Sequence, residues 1–305
     1  MPLHSTLASA ISEVRGSKSL RVTHTSGVSL ERARHILVLD SSFNPPTIAH
    51  RSLALAGYYL HNDVSAESDA VADEEVSHNQ EASPPDSILL LLSITNADKA
   101  PKAGDASPEQ RLEMMQRLAE ALYHAHPPTS SASRVTRIQP QSVAVAAIDA
   151  PTFIEKANVL RGTFASSPDG PPQRHTFVLG TDTLIRVLDP KYYGGTSFGR
   201  DTALSTFFGS EGLTSILCAD RPDLLASSDA NLSSAVEEYV RRGQVRFVQL
   251  PENTHRVSSS AVRQAIAAKS DNRANDWGLM VDPAIAEFVE KNGLYRHETN
   301  NGVMI

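Results

Sequence analysis

Residues 36–50 read Ile-Leu-Val-Leu-Asp-Ser-Ser-Phe-Asn-Pro-Pro-Thr-Ile-Ala-His. The pattern predicts an apolar strand that runs into a short polar turn, after which two prolines open a helix. Thr47 and His50 are three residues apart, so we expect them on one face of that helix, near the end of the strand. Ligands of open α/β sheets bind beyond the carboxyl ends of the strands, and a helix N-terminus offers free N–H groups to phosphate. The segment therefore predicts a phosphate-binding site, to which a protonated His50 would add a donor.

Outward from this segment the strand, loop and helix pattern repeats, and this context favours a functional site over a plain turn with a surface histidine. Strands are predicted at residues 35–40, 87–93, 134–139, 175–180, 214–219 and 245–250. Helices are predicted at residues 47–60, 108–124, 151–161, 182–188, 232–242, 260–269 and 283–291. Nearly continuous apolar strands that alternate with helices indicate an α/β fold, with a parallel sheet covered by helices on both faces.

The flanking and intervening segments suggest the domain organisation. A chain of 305 residues exceeds the usual size of one domain, but α/β folds reach this length as a single unit, so we predict one domain over residues 1–305. Residues 1–33 are predicted to form an N-terminal extension that packs on it, because apolar residues recur there at helical spacing. Residues 61–87 contain eight acidic residues and neither Lys nor Arg, which predicts a flexible acidic insertion.

Charge and composition exclude several classes of protein. The net charge is −7, and because the acidic insertion accounts for it, the remainder lacks the basic surface of a nucleic-acid-binding protein. Apolar runs such as residues 88–92 are too short to span a membrane. The single cysteine, Cys218, excludes an internal disulfide, fits a reducing compartment and has apolar neighbours typical of a buried thiol. We predict an intracellular protein, in the cytoplasm or the nucleus; the serine-rich N-terminus leaves an organelle presequence open.

Two further segments join the end of a strand to the start of a helix. In Val257-Ser258-Ser259-Ser260-Ala261-Val262-Arg263 the serines either cap the helix or offer hydroxyl groups to a ligand. The helix dipole disfavours Arg263 in the first turn, and a bound polyphosphate would reverse that penalty; the alternative is an arginine in solvent. In Gly180-Thr181-Asp182, the aspartate is either an N-cap or a group that holds a ribose hydroxyl or magnesium.

Three motifs together carry a resemblance to a known family. They are Ser41-Ser42-Phe43-Asn44-Pro45-Pro46-Thr47-x-x-His50, Gly180-x-Asp182 and Val257-Ser258-Ser259-Ser260-x-x-Arg263, in this order. The chain resembles the nicotinamide mononucleotide adenylyltransferases of the HxGH nucleotidyltransferase superfamily, and the Ser-Ser-Phe-Asn-Pro-Pro opening is similar to that of divergent fungal members. The resemblance extends from Ile36 to Arg296 without the acidic insertion. It implies a Rossmann-like doubly wound sheet.

The resemblance also implies a reaction, in which ATP and nicotinamide mononucleotide give NAD and pyrophosphate with Mg²⁺ as cofactor. Because the mononucleotide phosphate is already an anionic nucleophile, no side-chain base is needed, and catalysis reduces to positioning and charge stabilisation. His50 is implied to contact the α-phosphate during attack. The β- and γ-phosphates are implied to lie against Ser258, Ser259 and Arg263. The implied ATP-binding residues are Ser41, Ser42, Phe43, Asn44, Thr47, Gly180, Asp182, Ser258, Ser259 and Ser260.

Two other roles follow from the resemblance. Asp182 is implied to lie near the nucleotide sugar and the metal ion. A family lysine that neutralises phosphate corresponds to Lys99, with Lys102 as the alternative, and either residue is equally well explained as a solvated loop lysine. The predicted partners are therefore two small molecules, ATP and nicotinamide mononucleotide, with no nucleic acid and no membrane. The sequence does not predict an oligomeric state.

The sequence departs from the family's pattern in ways that concern the acceptor. Ser41 stands where the family usually has glycine, and its Cβ would hinder close approach of phosphate to the backbone. The family's tryptophans around the nicotinamide ring are missing, since Trp277 lies outside the corresponding segments. Phe153, Tyr192 and Tyr193 stand there and either stack on the ring or serve as core aromatics. Two alternatives therefore stay open: a related nucleotidyltransferase with another phosphorylated acceptor, and a weakly active nucleotide-binding scaffold.

Overall fold

The computed structural model describes residues 3–67, 85–95, 104–125, 139–164, 172–209, 213–219, 230–249, 254, 257–268 and 276–296. Within these ranges seven strands form one sheet, in the order β1-β4-β3-β2-β5-β6-β7. The strands are β1 (Leu20–Gly27), β2 (His35–Asp40), β3 (Ser87–Ser93), β4 (Ser142–Ile148), β5 (Arg174–Gly180), β6 (Thr214–Ala219) and β7 (Val245–Val248).

The sheet is parallel from β4 to β7. With β2 counted first, this part has the strand order 3-2-1-4-5-6 of a dinucleotide-binding doubly wound fold. The predicted Rossmann-like α/β class is thereby confirmed. Only β1 departs from the expected parallel arrangement, because it pairs antiparallel with β4 at one edge of the sheet.

Nine helices lie among the described residues. They are α1 (Leu3–Val14), α2 (Ile48–Glu67), α3 (Pro108–Tyr123), α4 (Phe153–Thr163), α5 (Thr181–Leu188), α6 (Ser197–Phe208), α7 (Ala230–Arg241), α8 (Ser259–Ala267) and α9 (Pro283–Lys291). Short 3₁₀ helices occupy Leu30–Arg32, Pro190–Tyr193 and Asp276–Met280. No helix in these parts of the chain is both long and apolar enough to cross a membrane.

The strand and helix predictions agree with the structure apart from shifts of one or two residues at some element ends and three larger differences. The strand expected at residues 134–139 falls mainly outside the described residues; the strand found in this part of the chain is β4, whose alanine-rich sequence has a weak β propensity. Helix α6 was not predicted, because Gly199 and several Ser and Thr residues obscure its helical pattern. Helix α2 continues to Glu67, so the first residues of the predicted flexible insertion are helical. The division into one domain with an extension stays a prediction.

Helices cover both faces of the sheet and bury two apolar layers. One layer includes side chains from α1, α2, α3, α8 and α9, and the other includes side chains from α4, α5, α6 and α7. Leu7 and Ile11 of α1 are buried in the first layer, and Cys218 is buried in the second, as its neighbours predict. The helix that follows β2 lies on one face and the helix that follows β5 lies on the other. Their diverging starts create the crevice in which such folds bind ligands.

Candidate active site

The loop of residues 41–47 connects β2 to α2 and lies at the carboxyl end of β2. Phe43 has φ 45°, a left-handed conformation that non-glycine residues rarely adopt, and its ring is fully buried. The peptide bond between Asn44 and Pro45 is cis. Helix α2 begins at Ile48, so the two prolines belong to the loop and do not open the helix as the sequence predicts. The buried ring of Phe43 anchors the loop against the core.

His50 lies in the first turn of α2 and is held on both sides of its ring. The backbone N–H of Thr47 donates to Nδ1 at 3.1 Å, and Thr47 Oγ1 lies 2.9 Å from the same nitrogen. Ser41 Oγ lies 2.9 Å from Nε2. Because a backbone N–H can only donate, Nδ1 must accept, which assigns the ring proton to Nε2. His50 therefore donates its Nε2–H to the hydroxyl oxygen of Ser41, the first residue of the loop.

Burial lowers the pKa of His50 to about 4, so the ring is neutral at pH 7. A neutral imidazole still donates through its Nε2–H. The protonated donor considered from the sequence is therefore not the form that this site favours.

Two neutral histidines, the partly buried His50 and the buried His175, make stability depend on pH. The pKa of His175 is lowered to about 3, mainly by burial and to a smaller extent by His35 and Arg161. Below pH 6.5 the unfolded chain binds protons at both positions that the folded chain excludes. We expect the free energy of unfolding to fall between pH 6.5 and 5 by up to about 1.4 kcal/mol per pH unit for each histidine. Urea titrations at pH 7, 6 and 5 measure this slope, and His175→Gln should reduce it; an unchanged slope would contradict the assignment.

The serine segment 258–260 lies against the loop after β2. Ser258 caps α8 by accepting the N–H of Ala261 at 3.1 Å. Ser259 donates to the carbonyl oxygen of Pro45 at 2.7 Å. Arg263 donates to the carbonyl oxygen of Asn44 at 2.6 Å and to Ser260 Oγ at 3.3 Å. The N-terminus of α8 and the loop after β2 therefore form one surface.

A polar cluster behind this surface was missed by the sequence analysis. Asn44 is buried, and its Nδ2 donates to Asp105 Oδ1 at 2.7 Å. Its Oδ1 accepts from the N–H of Ala106 at 3.2 Å and from the hydroxyl of Tyr295 at 2.8 Å. Burial raises the pKa of Tyr295 well above its usual range, so the hydroxyl stays a donor. This cluster fixes the loop from two distant parts of the chain, residues 105–106 and Tyr295.

Two arginines share the carboxylate of Asp105. Arg111 Nη2 lies 3.5 Å from Oδ2, and Arg263 Nε lies 3.9 Å from Oδ1. Burial lowers the pKa of Arg111, although Asp105 opposes that shift. Two guanidinium groups against one carboxylate leave a net positive charge beside the N-terminus of α8, an arrangement that attracts anions. Asp105 and Arg111 belong to no motif, so no sequence signal marked them.

The segment after β5 lies at the carboxyl end of the neighbouring strand. Gly180 is the N-cap of α5, so Asp182 lies within the first turn and is not the cap. Its carboxylate pairs with Arg186 at 3.3 Å, and its side chain is 63% exposed. Among the described residues no group of three metal-ligating side chains occurs. A single accessible carboxylate fits Mg²⁺, which takes one or two carboxylates together with substrate phosphates.

The three aromatic residues predicted for the acceptor differ in their surroundings. Tyr193 is tied to the protein, since its hydroxyl donates to the carbonyl of Val187 at 2.7 Å and burial raises its pKa to about 12. Phe153 packs edge-on against Phe177. Tyr192 is the exposed member, with 38% of its surface accessible. Lys99 and the alternative Lys102 lie outside the described residues.

Comparisons with known proteins bear on this site. No protein-family profile matches the chain. A curated protein of Schizosaccharomyces pombe, named "Putative nicotinamide mononucleotide adenylyltransferase", is 28% identical over 186 residues. That match covers 61% of this chain and 53% of the other, so the chain spans about half the length of the relative it matches.

Two solved structures match a larger part of the chain than the S. pombe protein does, but their sequence identity to the chain is lower. The Plasmodium falciparum nicotinic acid mononucleotide adenylyltransferase complexed with NaAD is 13% identical, with 86% of this chain and 97% of that chain covered and a TM-score of 0.46. A putative nicotinate-nucleotide adenylyltransferase from Vibrio parahaemolyticus is 14% identical, with coverages of 87% and 96% and a TM-score of 0.36. Such scores are too low to identify a shared fold, which rests on the strand order above. Taken together with the motifs gathered at the ends of β2 and β5, the match to the S. pombe protein supports the resemblance to the nucleotidyltransferases that the sequence predicts.

Proposed function

We propose that this protein is an adenylyltransferase that joins ATP to nicotinamide mononucleotide and releases NAD and pyrophosphate. The observation that carries the proposal is the geometry around His50, a neutral donor held where the loop after β2 meets the N-terminus of α8. That arrangement suits the transfer of a nucleotidyl group between two phosphates. The printed name of the S. pombe relative supports the choice of acceptor.

The reaction needs one bond to form and one to break. An oxygen of the mononucleotide phosphate attacks the α-phosphorus of ATP, and the bond from that phosphorus to the bridging oxygen of the β-phosphate breaks. Pyrophosphate carries away the electron pair, and no protein group has to accept a proton. His50 would turn its Nε2–H from Ser41 to a non-bridging oxygen of the α-phosphate, where negative charge is concentrated in the transition state.

The leaving pyrophosphate would lie at the N-terminus of α8. Ser260 and the first backbone N–H groups of the helix offer donors there. Arg263 is oriented in advance, because its guanidinium already donates to the Asn44 carbonyl and to Ser260. A preoriented cation costs little reorganisation when charge develops on the leaving group.

A magnesium ion held at Asp182 would supply positive charge that neutralises part of the negative charge of the substrate phosphates. Asp182 is the described residue that we propose as a ligand, because its carboxylate is exposed at the end of β5. Lys99 or Lys102 is proposed as a further phosphate contact. We also propose an intracellular location, on the basis of the lone Cys218.

The direct test is product formation from ATP, Mg²⁺ and nicotinamide mononucleotide, with NAD detected by a coupled dehydrogenase. NAD from the wild-type protein, and NAD formation about 10²–10³-fold slower in the His50→Ala variant, would support both the reaction and the site. If folded protein releases pyrophosphate only with a different phosphorylated acceptor, the acceptor assignment fails. If it binds ATP and releases no pyrophosphate with any acceptor, the nucleotide-binding scaffold replaces the enzyme.

A further inference from the structure

A buried ion pair joins the end of β2 to helix α4. Lys156 Nζ lies 2.6 Å from Asp40 Oδ2, and the two side chains are only 6% and 10% exposed. The sequence analysis assigned neither residue a role. Asp40 is the last residue of β2 and directly precedes Ser41, whose hydroxyl contacts His50. The pair is therefore one residue away from the loop proposed to receive phosphates.

The carboxylate of Asp40 depends on this one lysine. Its Oδ1 is buried and has no hydrogen-bond partner among the described residues. A buried charge that lacks its counter-ion is costly, and most buried carboxylates spread their charge over several donors. Lys156 is fixed independently, because its ammonium also lies 4.7 Å above the ring of Phe153 in the same helix. The ammonium is therefore held at Asp40 from the side of α4.

We propose, on the basis of the proposed function, that Lys156 is a positioning residue that cancels the charge of Asp40 beside the phosphate loop. ATP and the mononucleotide are both anions, and an uncompensated carboxylate next to Ser41 would repel each of them. Low-dielectric surroundings strengthen that repulsion, because little water can screen it. The pair would thus permit two anionic substrates to bind at a strand end that carries an acidic residue.

The test asks whether ATP binding depends on an uncompensated negative charge at position 40 or on the lysine itself. In Lys156→Met, we expect the Kd of ATP and the KM of both substrates to rise by about ten-fold or more. Adding Asp40→Asn to that variant removes the uncompensated charge, so the double variant should return to within about three-fold of wild type. Neutral replacement of a buried ion pair usually leaves a protein folded, so the double variant remains informative even if Lys156→Met is unstable.

The matched control is Lys18→Met. Lys18 pairs at 3.3 Å with Glu155, the neighbour of Lys156 in α4, but its side chain is 75% exposed. Solvent screens the carboxylate left behind, and substrate binding should stay unchanged. A double variant that binds ATP as poorly as Lys156→Met, or a Lys156→Met protein that binds like wild type, would overturn the proposal.

Calorimetric titration with ATP measures binding without turnover, so the role of Lys156 can be tested independently of the proposed reaction. If the wild-type protein makes no dinucleotide but the double variant restores ATP binding, the proposed function fails and the role of Lys156 stands. If dinucleotide forms and no rescue occurs, the function stands and the role of Lys156 fails. A purely structural role would change the melting temperature without any dependence of ATP affinity on the charge at position 40.

Discussion

The His50→Ala variant will turn over about 10²–10³-fold more slowly than wild type while it keeps its fold. The reason is that Nε2–H is the donor proposed for the α-phosphate, and alanine has no group to replace it. Circular dichroism and the melting temperature check the fold, and the coupled NAD assay measures kcat. The loss should appear mainly in kcat, since the contact is expected to strengthen in the transition state.

His24 provides the control for this substitution. It is a partly exposed histidine on β1, with its Nε2 2.9 Å from Glu120, and it belongs to none of the groups proposed to contact substrate. We expect His24→Ala to keep kcat within about two-fold of wild type, the range usual for a surface change. Equal losses in the two variants, or near-wild-type turnover in His50→Ala, would remove His50 from the mechanism.

Replacement of Asn44 by alanine will have the largest effect on stability. The change deletes one of the donors to Asp105 and leaves the Ala106 N–H and the Tyr295 hydroxyl without their acceptor. Unsatisfied buried polar groups cost about 1–3 kcal/mol each, so we expect the free energy of unfolding to fall by about 3–5 kcal/mol. Urea denaturation monitored by circular dichroism measures the difference.

Two further variants serve as controls for the Asn44→Ala prediction. Asn158→Ala removes an exposed amide that accepts from Arg161 at 2.6 Å, and it should cost about 0.5 kcal/mol or less. Tyr295→Phe deletes one of the three bonds and should fall between the two variants, near 1 kcal/mol. A loss below 1 kcal/mol in Asn44→Ala would show that the loop does not depend on the cluster.

The sequence predicts those parts of the molecule that depend only on patterns within a short segment of the chain. The apolar run of β2, the polar turn and the following helix lie within residues 36–50, so the position of His50 at a strand end could be inferred from them. The N-cap role of Ser258 is equally local, because it needs only the helix that follows. Asp182 marks the limit of such reasoning, since the helix begins two residues earlier than an aspartate cap requires.

The remaining parts of the site depend on contacts between distant residues. Asn44 meets Asp105 across 61 residues, and Lys156 meets Asp40 across 116. Neither pair has a spacing that a sequence pattern reveals, because the sheet order brings the partners together. Strand β4 was missed for a different reason: its alanines fit a fully buried position between two strands but carry little intrinsic preference for one.

The hydrogen bond between Tyr295 and Asn44 also constrains the biosynthesis of the protein. Its partners are 251 residues apart, so the loop after β2 leaves the ribosome long before the hydroxyl that secures it exists. Contacts of such separation form late, after the chain between them has been ordered. During translation the nascent chain can pair its early strands, but it cannot complete the polar cluster that holds the loop proposed to bind nucleotide. The loop after β2 therefore stays without this hydrogen bond until residue 295 has been synthesised.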